Sequence, residues 1–328
     1  MFKHIFDFCW WRKLAARTMT TVMIVGLSAA IAAADEPPAE EDEPIPDPER
    51  ITLTTDDYVK IRCTYYPSLE GKESTAVVMI HGWGGQRGEY DALASKLQAA
   101  GNAVVTVDLR GHGESTVRQP PDVLQERDWP PAWKKPLNYE KMTRNDIADM
   151  ARFDLQEVMN FLYERNNKAE LNIDALCVIA AKEGAVVAIN WAALDWATPP
   201  PTFVGYKNSQ WIKALVLLSP VQSYKGATTA VAMRSPALQR EISMMIAAGE
   251  KDRGAKADAA KLYSPLKRFR AASTEKNLFY IPVAASFQGT KMLGKPTLKL
   301  DSYIAKFIQL RLADKMDDKF PWTKREKP

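Results

Sequence analysis

Histidine is scarce in this sequence, and its distribution excludes one common kind of catalytic site. The 328 residues contain three histidines, His4, His81 and His112, and none follows His112. Histidine is the side chain that most often exchanges protons near neutral pH. The chain beyond residue 112 therefore offers no histidine that could act as a general base.

Cysteine is equally scarce, with three residues in the whole chain. Cys9 lies near the N-terminus, whereas Cys63 and Cys177 lie in apolar, strand-like runs, where a free thiol behaves as a small buried hydrophobe. Two cysteines do not form a disulfide framework, and the sequence leaves open whether they pair. The histidines and cysteines lack the spacing of metal ligands, and Gly82-Trp-Gly-Gly lacks the ending of a phosphate loop. We therefore expect no metal and no cofactor.

Long apolar runs are absent beyond the N-terminus. Residues 20–33 are largely apolar, end at the small residues Ala32-Ala33-Ala34, and follow four basic residues: Lys3, Arg12, Lys13 and Arg17. This order predicts a secretory signal peptide over residues 1–34 and export to the periplasm or the exterior. The run is shorter than the roughly 20 residues of a spanning helix, and an uncleaved N-terminal membrane anchor is the alternative. We expect no membrane span once the signal is removed.

Charge of one sign dominates only one short segment. Residues 35–50 contain eight acids and five prolines, a composition that predicts a solvated, extended linker. Residues 51–328 carry 39 basic and 31 acidic side chains, without a basic stripe or an interleaved set of aromatic residues. This balance is not typical of a nucleic-acid-binding protein, so we expect no nucleic acid among the partners.

Residues 51–313 are long enough for one α/β domain with a substantial core. A hairpin is predicted over 51–66. From residue 75 onward buried strands alternate with helices, which predicts a mainly parallel sheet covered on both faces. Within this pattern a long helix is predicted over 145–165 and a short helix within 228–240. The polar tail 314–328 is predicted to be frayed.

Two irregular segments interrupt this alternation. Residues 116–140 and 196–211 are rich in proline and tryptophan, and the first contains Trp129 and Trp133. The first segment is predicted to lie over the C-terminal edge of the sheet. Each segment could serve as a contact surface for a partner or as a lid over a pocket, and composition alone does not separate these roles.

The most informative stretch runs from Leu176 to Ile189. Cys177–Ala180 is a continuous apolar run typical of a buried parallel strand. Gly184 begins a segment of small and apolar residues typical of a helix packed on a sheet. A sharp turn is predicted between them, with Lys182 at its tip. We expect this strand–turn–helix to organise the pocket.

Four motifs follow one another in order along the chain. They are His81-Gly-Trp-Gly-Gly, Asp108-Leu-Arg-Gly-His-Gly-Glu-Ser115, Ala180-Ala-Lys-Glu-Gly184 and Ala248-Gly-Glu-Lys-Asp252. Across residues 75–312 the chain resembles the α/β-hydrolase superfamily, in its esterase and serine-aminopeptidase-like branch. The resemblance implies a three-layer αβα sandwich around a mainly parallel, twisted sheet of about eight strands. It also implies that the turn at Lys182 is the nucleophile elbow, where the G-x-S-x-G motif holds a serine.

The resemblance assigns three triad-equivalent positions, and two of them hold residues of different chemistry. Lys182 stands in place of the nucleophilic serine, and Asp252 matches the acid. Ser286-Phe-Gln-Gly-Thr290 resembles the loop that holds the histidine, which puts Gln288 at the position of the general base. A neutral carboxamide cannot accept a proton at physiological pH. A Ser-His-Asp triad therefore cannot be assembled in this chain order.

The resemblance also assigns an oxyanion hole to two backbone amides, those of Trp83 and Glu183. The glycine-rich turns around them have a second explanation, because strand-to-helix connections need tight backbone. Asp252 likewise has a second explanation, as a turn aspartate that bonds nearby backbone. Both interpretations remain open at the level of sequence.

Lys182 itself has two conceivable roles. As a desolvated amine it could act as a nucleophile or a base. Asp252, and also Glu183, could lie close to it in the expected fold, and beside a carboxylate it would instead be held as a charged ammonium. We favour the second role and predict an ion pair between Lys182 and Asp252.

Three functions are compatible with these features. The leading one is an exported, non-catalytic pseudo-hydrolase that binds an unidentified small ligand or protein partner. The first alternative is an active esterase-like or peptidase-like hydrolase that uses other groups in the same pocket. The second alternative is an interaction protein that uses the aromatic segments 129–133 and 196–211. The substitutions at the triad positions favour a protein without catalysis.

Overall fold

The computed structural model describes residues 44–119, 126–131, 133–198, 209–271 and 275–325. The predicted signal segment 1–34 and linker residues 35–43 lie outside these ranges, as do residues 199–208 of the second irregular segment. Within the described ranges, no helix combines the length and the apolar character needed to cross a membrane.

The described residues form an eight-stranded sheet and a separate small hairpin. The strands, in chain order, are β1 Glu49–Thr54, β2 Lys60–Tyr66, β3 Thr75–Ile80, β4 Asn102–Val107, β5 Asn172–Ala181, β6 Ile212–Leu218, β7 Ser223–Tyr224, β8 Ala227–Thr228, β9 Ser243–Gly249 and β10 Leu278–Val283. The large sheet has the order β1-β2-β4-β3-β5-β6-β9-β10, and β7 pairs with β8. The predicted hairpin β1–β2 is antiparallel, β2 is antiparallel to β4, and the other neighbours are parallel.

Helices cover both faces of this sheet. They are α1 Asp91–Ala99, α2 Arg144–Asp149, α3 Leu155–Asn167, α4 Gly184–Ala197, α5 Arg253–Phe269, α6 Leu300–Arg311 and α7 Met316–Lys319. Helices α3, α4 and α5 pack on one face, where they share a buried apolar cluster with Val178. Helices α1 and α6 pack on the other face, in the cluster that contains Ile179. Every residue of β3, β4 and β5 is buried, because successive side chains of a strand point to opposite, covered faces. The three-layer sandwich predicted from the sequence is confirmed.

The long helix predicted over 145–165 is present and contains one π-helical turn. Helix α2 ends at Asp149, a single π-helical turn spans Met150–Asp154, and α3 begins at Leu155. The wider turn places the carboxylate of Asp154 inside the protein, where it accepts hydrogen bonds from the backbone N and Nε of Arg110 at 2.9 and 2.8 Å. We attribute the interruption to this pairing, because a π-turn reorients side chains that a regular α-helix would hold elsewhere.

The short helix predicted within 228–240 is not a regular α-helix. A 3-10 turn at Ala232–Arg234 and a π-turn at Ala237–Glu241 take its place. Pro236 lacks a backbone N–H and disfavours helical backbone at the residue before it. The guanidinium of Arg270 donates to three backbone carbonyls of this segment, those of Leu238, Gln239 and Ile242. These acceptors are therefore satisfied by a distant side chain.

The tail 314–328 is not frayed in its described part, which extends to residue 325. It lies against the start of β5, where the side chain of Asn172 donates to the carbonyl of Phe320 at 2.7 Å. Arg325 forms an ion pair with Asp174. Buried amide and carboxylate groups need partners, and the tail supplies them. The polar composition of the tail therefore reflects its contacts with the domain.

Candidate functional site

The C-terminal ends of β3, β5, β9 and β10 meet at one edge of the sheet, and the loops that follow them enclose a cleft of about 530 Å³. In open α/β sheets this edge is the usual place for a ligand. Four of the five predicted site positions line the cleft: Trp83, Lys182, Asp252 and Gln288. The fifth, Glu183, lies beside the cleft in contact with Trp83. The fold therefore gathers all five positions.

The turn after β5 has the geometry of a nucleophile elbow. Lys182 has a φ of 48°, in the left-handed region that non-glycine residues rarely adopt. Its backbone is fixed from both sides, because its N donates to Leu218 O at 2.9 Å and its O accepts from Ala185 N at 3.1 Å. Gly184 is required by close packing, since a Cβ there would lie 2.2 Å from His81 O. The elbow predicted from the sequence is present, with a lysine at its tip.

The Lys182 side chain does not pair with Asp252 as predicted. Its Nζ lies 3.8 Å from Glu183 Oε1, and its side chain is 38% exposed. The alkyl part passes close to Gly289, where an added Cβ would lie 2.9 Å from Lys182 Cγ. The predicted ion pair is wrong because Glu183 is the nearer acid and Asp252 is engaged elsewhere.

Asp252 and Gln288 contact each other directly. The side-chain amide of Gln288 donates from Nε2 to Asp252 Oδ2 at 2.5 Å. Asp252 also caps helix α5, since its Oδ1 accepts from Ala255 N at 2.9 Å. The backbone N–H of Ala255, and then the Gln288 amide, lower the pKa of Asp252 by stabilising its charged form. The acid position is therefore an ionised hydrogen-bond acceptor.

In the turn after β3, called the oxyanion turn after its predicted role, the first of the two predicted oxyanion-hole amides is occupied. Trp83 N donates to Oε2 of the Glu183 side chain at 3.0 Å. The Glu183 side chain is 14% exposed and folds over Gly82, where an added Cβ would lie 3.2 Å from Oε2. The sequence indicated a role for the Glu183 backbone amide, and the structure adds a role for its carboxylate. That carboxylate lies where an oxyanion would meet the Trp83 amide.

The two histidines of the domain are buried in backbone contacts. His81 Nδ1 lies 2.7 Å from Gly82 O, and its Nε2 accepts from Leu109 N at 3.2 Å. His112 Nδ1 lies 3.0 Å from Arg110 O. A carbonyl can only accept, so Nδ1 holds the proton in both rings. Burial lowers the pKa of His81, and burial followed by the charge of His81 lowers the pKa of His112 to about 4.

The Asp108–Ser115 motif stabilises the turn after β4 and does not line the cleft. The Arg110 guanidinium is 1% exposed and lies 2.9 Å from Asp57 and 2.7 Å from Asp154. Such paired, buried charges are hydrogen-bonded on all sides and unavailable to a ligand. The motif is therefore a structural support for the neighbouring oxyanion turn.

An aromatic cluster that no sequence motif predicted lies beside this turn. The Trp83 ring lies 4.8 Å from the ring of His112 and 4.9 Å from that of Tyr224, between centroids. Lys225 Nζ lies 4.9 Å from the centre of the Trp83 ring. The same Nζ donates to three carbonyls, those of Tyr139, Glu140 and Met142. No motif marks Tyr224 or Lys225, because only the hairpin β7–β8 brings them to Trp83.

Sequence analysis also missed two charged residues of the cleft. Glu89 and Lys291 line it together with Lys182 and Asp252. Glu89 accepts a hydrogen bond from the Thr290 hydroxyl at 2.5 Å. The lining therefore presents two carboxylates and two ammonium groups, which suits a ligand with polar or charged ends.

Comparisons with known proteins agree with this architecture. A family model described as serine aminopeptidase, S33, matches residues 71–242. An esterase from Pyrococcus furiosus is similar in structure, with 14% identity, 81% of this chain and 91% of that chain covered, and a TM-score of 0.54. A dienelactone hydrolase from Anabaena variabilis has 16% identity, covers 82% and 99% of the two chains, and has a TM-score of 0.51.

A third similar structure is an esterase from Pyrobaculum calidifontis, with 18% identity, 82% of this chain and 87% of that chain covered, and a TM-score of 0.51. At these identities the structural similarities show a common fold and nothing about a common substrate. The comparison with curated proteins found no match.

Proposed function

This chain belongs to the serine aminopeptidase S33 family, which has the α/β-hydrolase fold, and we propose that it is a non-catalytic member of that family. In this proposal the protein binds a small ligand or a protein partner in the cleft and does not hydrolyse it. The motifs described above imply where the reactive groups would lie, and three observations at those positions support the proposal.

The observation that supports the proposal most directly is the hydrogen bond between Gln288 and Asp252. It has the form of a histidine–carboxylate contact, in which the acid orients the general base. A carboxamide in the same place keeps the hydrogen bond but cannot accept a proton from a nucleophile. His81 and His112 are no substitutes, because both rings are buried and Nδ1 of each lies against a backbone carbonyl.

The other two positions support the same conclusion. Lys182 replaces the hydroxyl nucleophile, and its Nζ lies near the Glu183 carboxylate, the environment of a charged ammonium. An ammonium has no lone pair with which to attack a carbonyl. The Glu183 carboxylate also occupies the Trp83 amide, which in an active member would stabilise the developing negative charge.

The test compares the unaltered protein with Lys182→Ala, using short-chain chromogenic esters and a serine-reactive fluorophosphonate probe. We expect neither turnover nor labelling above background in either protein. Ester turnover by the unaltered protein that disappears in Lys182→Ala would show that the lysine is catalytic and would overturn the proposal. The same pair of proteins controls for contaminating esterases, since these persist in both.

A second experiment restores the missing groups. The double variant Lys182→Ser with Gln288→His rebuilds nucleophile and base, and adding Glu183→Ala frees the Trp83 amide. We expect ester turnover in the triple variant to exceed that of the double variant by about 100-fold, the typical effect of one oxyanion-hole donor. Lys182→Ser alone is the control and should stay inactive, because no base is present.

We also propose that the protein is exported and that residues 1–34 are removed. The support is the order of basic residues, apolar run and small residues in that segment. Intact mass and N-terminal sequencing of the protein from its native cell envelope test this. A mature N-terminus near residue 35 is expected, whereas an intact N-terminus in the membrane fraction would indicate the anchored alternative.

A further inference from the structure

The Glu183 carboxylate is bound by two groups of its own chain, the Trp83 amide and the Lys182 ammonium. Its Oε2 accepts from the Trp83 amide at 3.0 Å, and its Oε1 lies 3.8 Å from Lys182 Nζ. A carboxylate between an N–H donor and an ammonium is in the arrangement that proteins use to bind anions. We call this arrangement, formed by Trp83 N and Lys182 Nζ, the carboxylate seat.

One half of the seat is a backbone amide, that of Trp83, and the other half is a side chain whose own backbone is fixed at the elbow. Trp83 N follows Gly82, where an added side chain would crowd the Glu183 carboxylate. Lys182 is held at the elbow by hydrogen bonds of its own backbone. A site fixed in this way pays little reorganisation when one carboxylate replaces another. The Trp83 amide therefore stays in place for an incoming carboxylate, and the exposed Lys182 side chain can adjust to it.

The seat also opens to the cleft. Both Trp83 and Lys182 line the cleft, and the Lys182 side chain is 38% exposed. Phe287, which is 45% exposed, lines the same cleft and offers an apolar surface to the body of a ligand. A carboxylate that entered from the cleft would reach the ammonium and the amide that now hold Glu183.

From this geometry we propose that the cleft binds carboxylate-bearing ligands, and that Glu183 is an internal competitor which fills the seat until such a ligand displaces it. This inference rests on the proposed function, because a ligand that is bound without being hydrolysed needs a recognition site. It adds the chemical class of the ligand. Only molecules in which Glu183 has left the seat can bind the ligand. The apparent association constant of the unaltered protein is therefore the intrinsic constant multiplied by the fraction of molecules with a free seat.

The test uses butyrate as the probe and butyramide as its neutral counterpart, with the full chain labelled with ¹⁵N at tryptophan. The chain has nine tryptophans, and comparison with Trp83→Phe identifies the backbone amide signal of Trp83. Titrations compare the unaltered protein, Glu183→Ala, and Glu183→Ala combined with Lys182→Gln. Glu250→Ala is the matched control, since Glu250 is an exposed acid next to β9 that does not line the cleft.

We expect Glu183→Ala to bind butyrate at least about tenfold more tightly than the unaltered protein, as one charge-assisted hydrogen bond would produce. The Trp83 amide signal should move with saturation, butyramide should bind weakly, and Lys182→Gln should reverse the gain. Equal butyrate affinity in Glu183→Ala and the unaltered protein would overturn the inference. An equal gain in Glu250→Ala would also overturn it, by showing a general effect of charge.

The two proposals fail in different ways. Ester turnover that depends on Lys182 would defeat the non-catalytic function, and the butyrate titration would still report on the seat. Absence of butyrate binding together with absence of turnover would defeat the carboxylate seat and leave the non-catalytic function standing.

Discussion

The turn after β4 and the elbow after β5 both place charged side chains at the same edge of the sheet, but only the first closes them off from solvent. Arg110 and Asp154 are 1% and 0% exposed and lie 2.7 Å apart. Lys182 is 38% exposed and lies 3.8 Å from Glu183. The buried pair, whose hydrogen-bonding groups are all engaged, holds the loops in place. The Lys182 ammonium is more loosely paired and faces the cleft. Under the proposed function, the first motif supports the fold and the second recognises the ligand.

The strongest way to break this comparison is Arg110→Ala. The variant leaves the Asp154 carboxylate buried without its cation, and we expect the free energy of unfolding to fall by about 3–5 kcal/mol. Urea denaturation at neutral pH measures the loss. Lys182→Ala is the matched control, with an expected change within about 0.5 kcal/mol, as is usual for partly exposed sites. Similar losses in the two variants would show that the elbow is as structural as the turn after β4.

The second prediction uses pH to separate the two regions. Burial lowers the pKa of His112 to about 4, whereas an unfolded histidine titrates near 6.5. The unfolded chain therefore binds a proton that the folded chain refuses, so this stability is complete above about pH 6.5 and is lost as pH falls towards 4. The expected loss is about 3 kcal/mol for a shift of this size.

The measurement is the free energy of unfolding between pH 7 and pH 4.5, for the unaltered protein and His112→Gln. The variant should lose less stability over this range, because glutamine does not titrate. Carboxylates titrate in both proteins and cancel in the difference. Identical pH profiles would show that His112 is protonated in the fold without cost.

The smallest effect is expected from backbone strain at the elbow. Lys182 adopts a left-handed φ of 48°, which costs a residue with a Cβ about 1 kcal/mol and costs glycine nothing. Lys182→Gly should therefore be more stable than Lys182→Ala by up to about 1 kcal/mol in thermal or urea unfolding. Both variants lose the contact of the lysine chain with Gly289, so the difference isolates the backbone. An Ala variant as stable as the Gly variant would show an unstrained elbow.

Much of the fold followed from local patterns. The alternation of strands and helices predicted the sheet, because buried parallel strands read as continuous apolar runs. The glycines around Lys182 predicted a sharp turn there, and Gly184 proves indispensable to its packing. The long helix over 145–165 was predicted, but the π-helical turn inside it was not, because that turn serves Asp154, whose partner Arg110 is 44 residues away. The period of the apolar residues predicts which face of a helix is buried. It does not predict that a cation from a distant part of the chain will contact that face.

In the candidate site, too, local motifs predicted the positions of the residues but not which side chains contact each other. Sequence motifs placed Trp83, Lys182, Asp252 and Gln288 around one cleft, and they are there. The predicted Lys182–Asp252 ion pair is wrong, because Asp252 is engaged by Gln288 and by the start of α5. Two acids were near enough in the expected fold, and only the atomic positions select between them.

The sequence by itself determined the order of the strands and helices, the elbow, and the absence of any histidine after residue 112, because these depend on residue type and local spacing. Tertiary structure decided which groups meet. It brought the Glu183 carboxylate to the Trp83 amide, 100 residues apart in the chain. It also brought Lys225 over the Trp83 ring and the C-terminal tail onto β5. Such contacts depend on distance in space, which the folded chain alone defines.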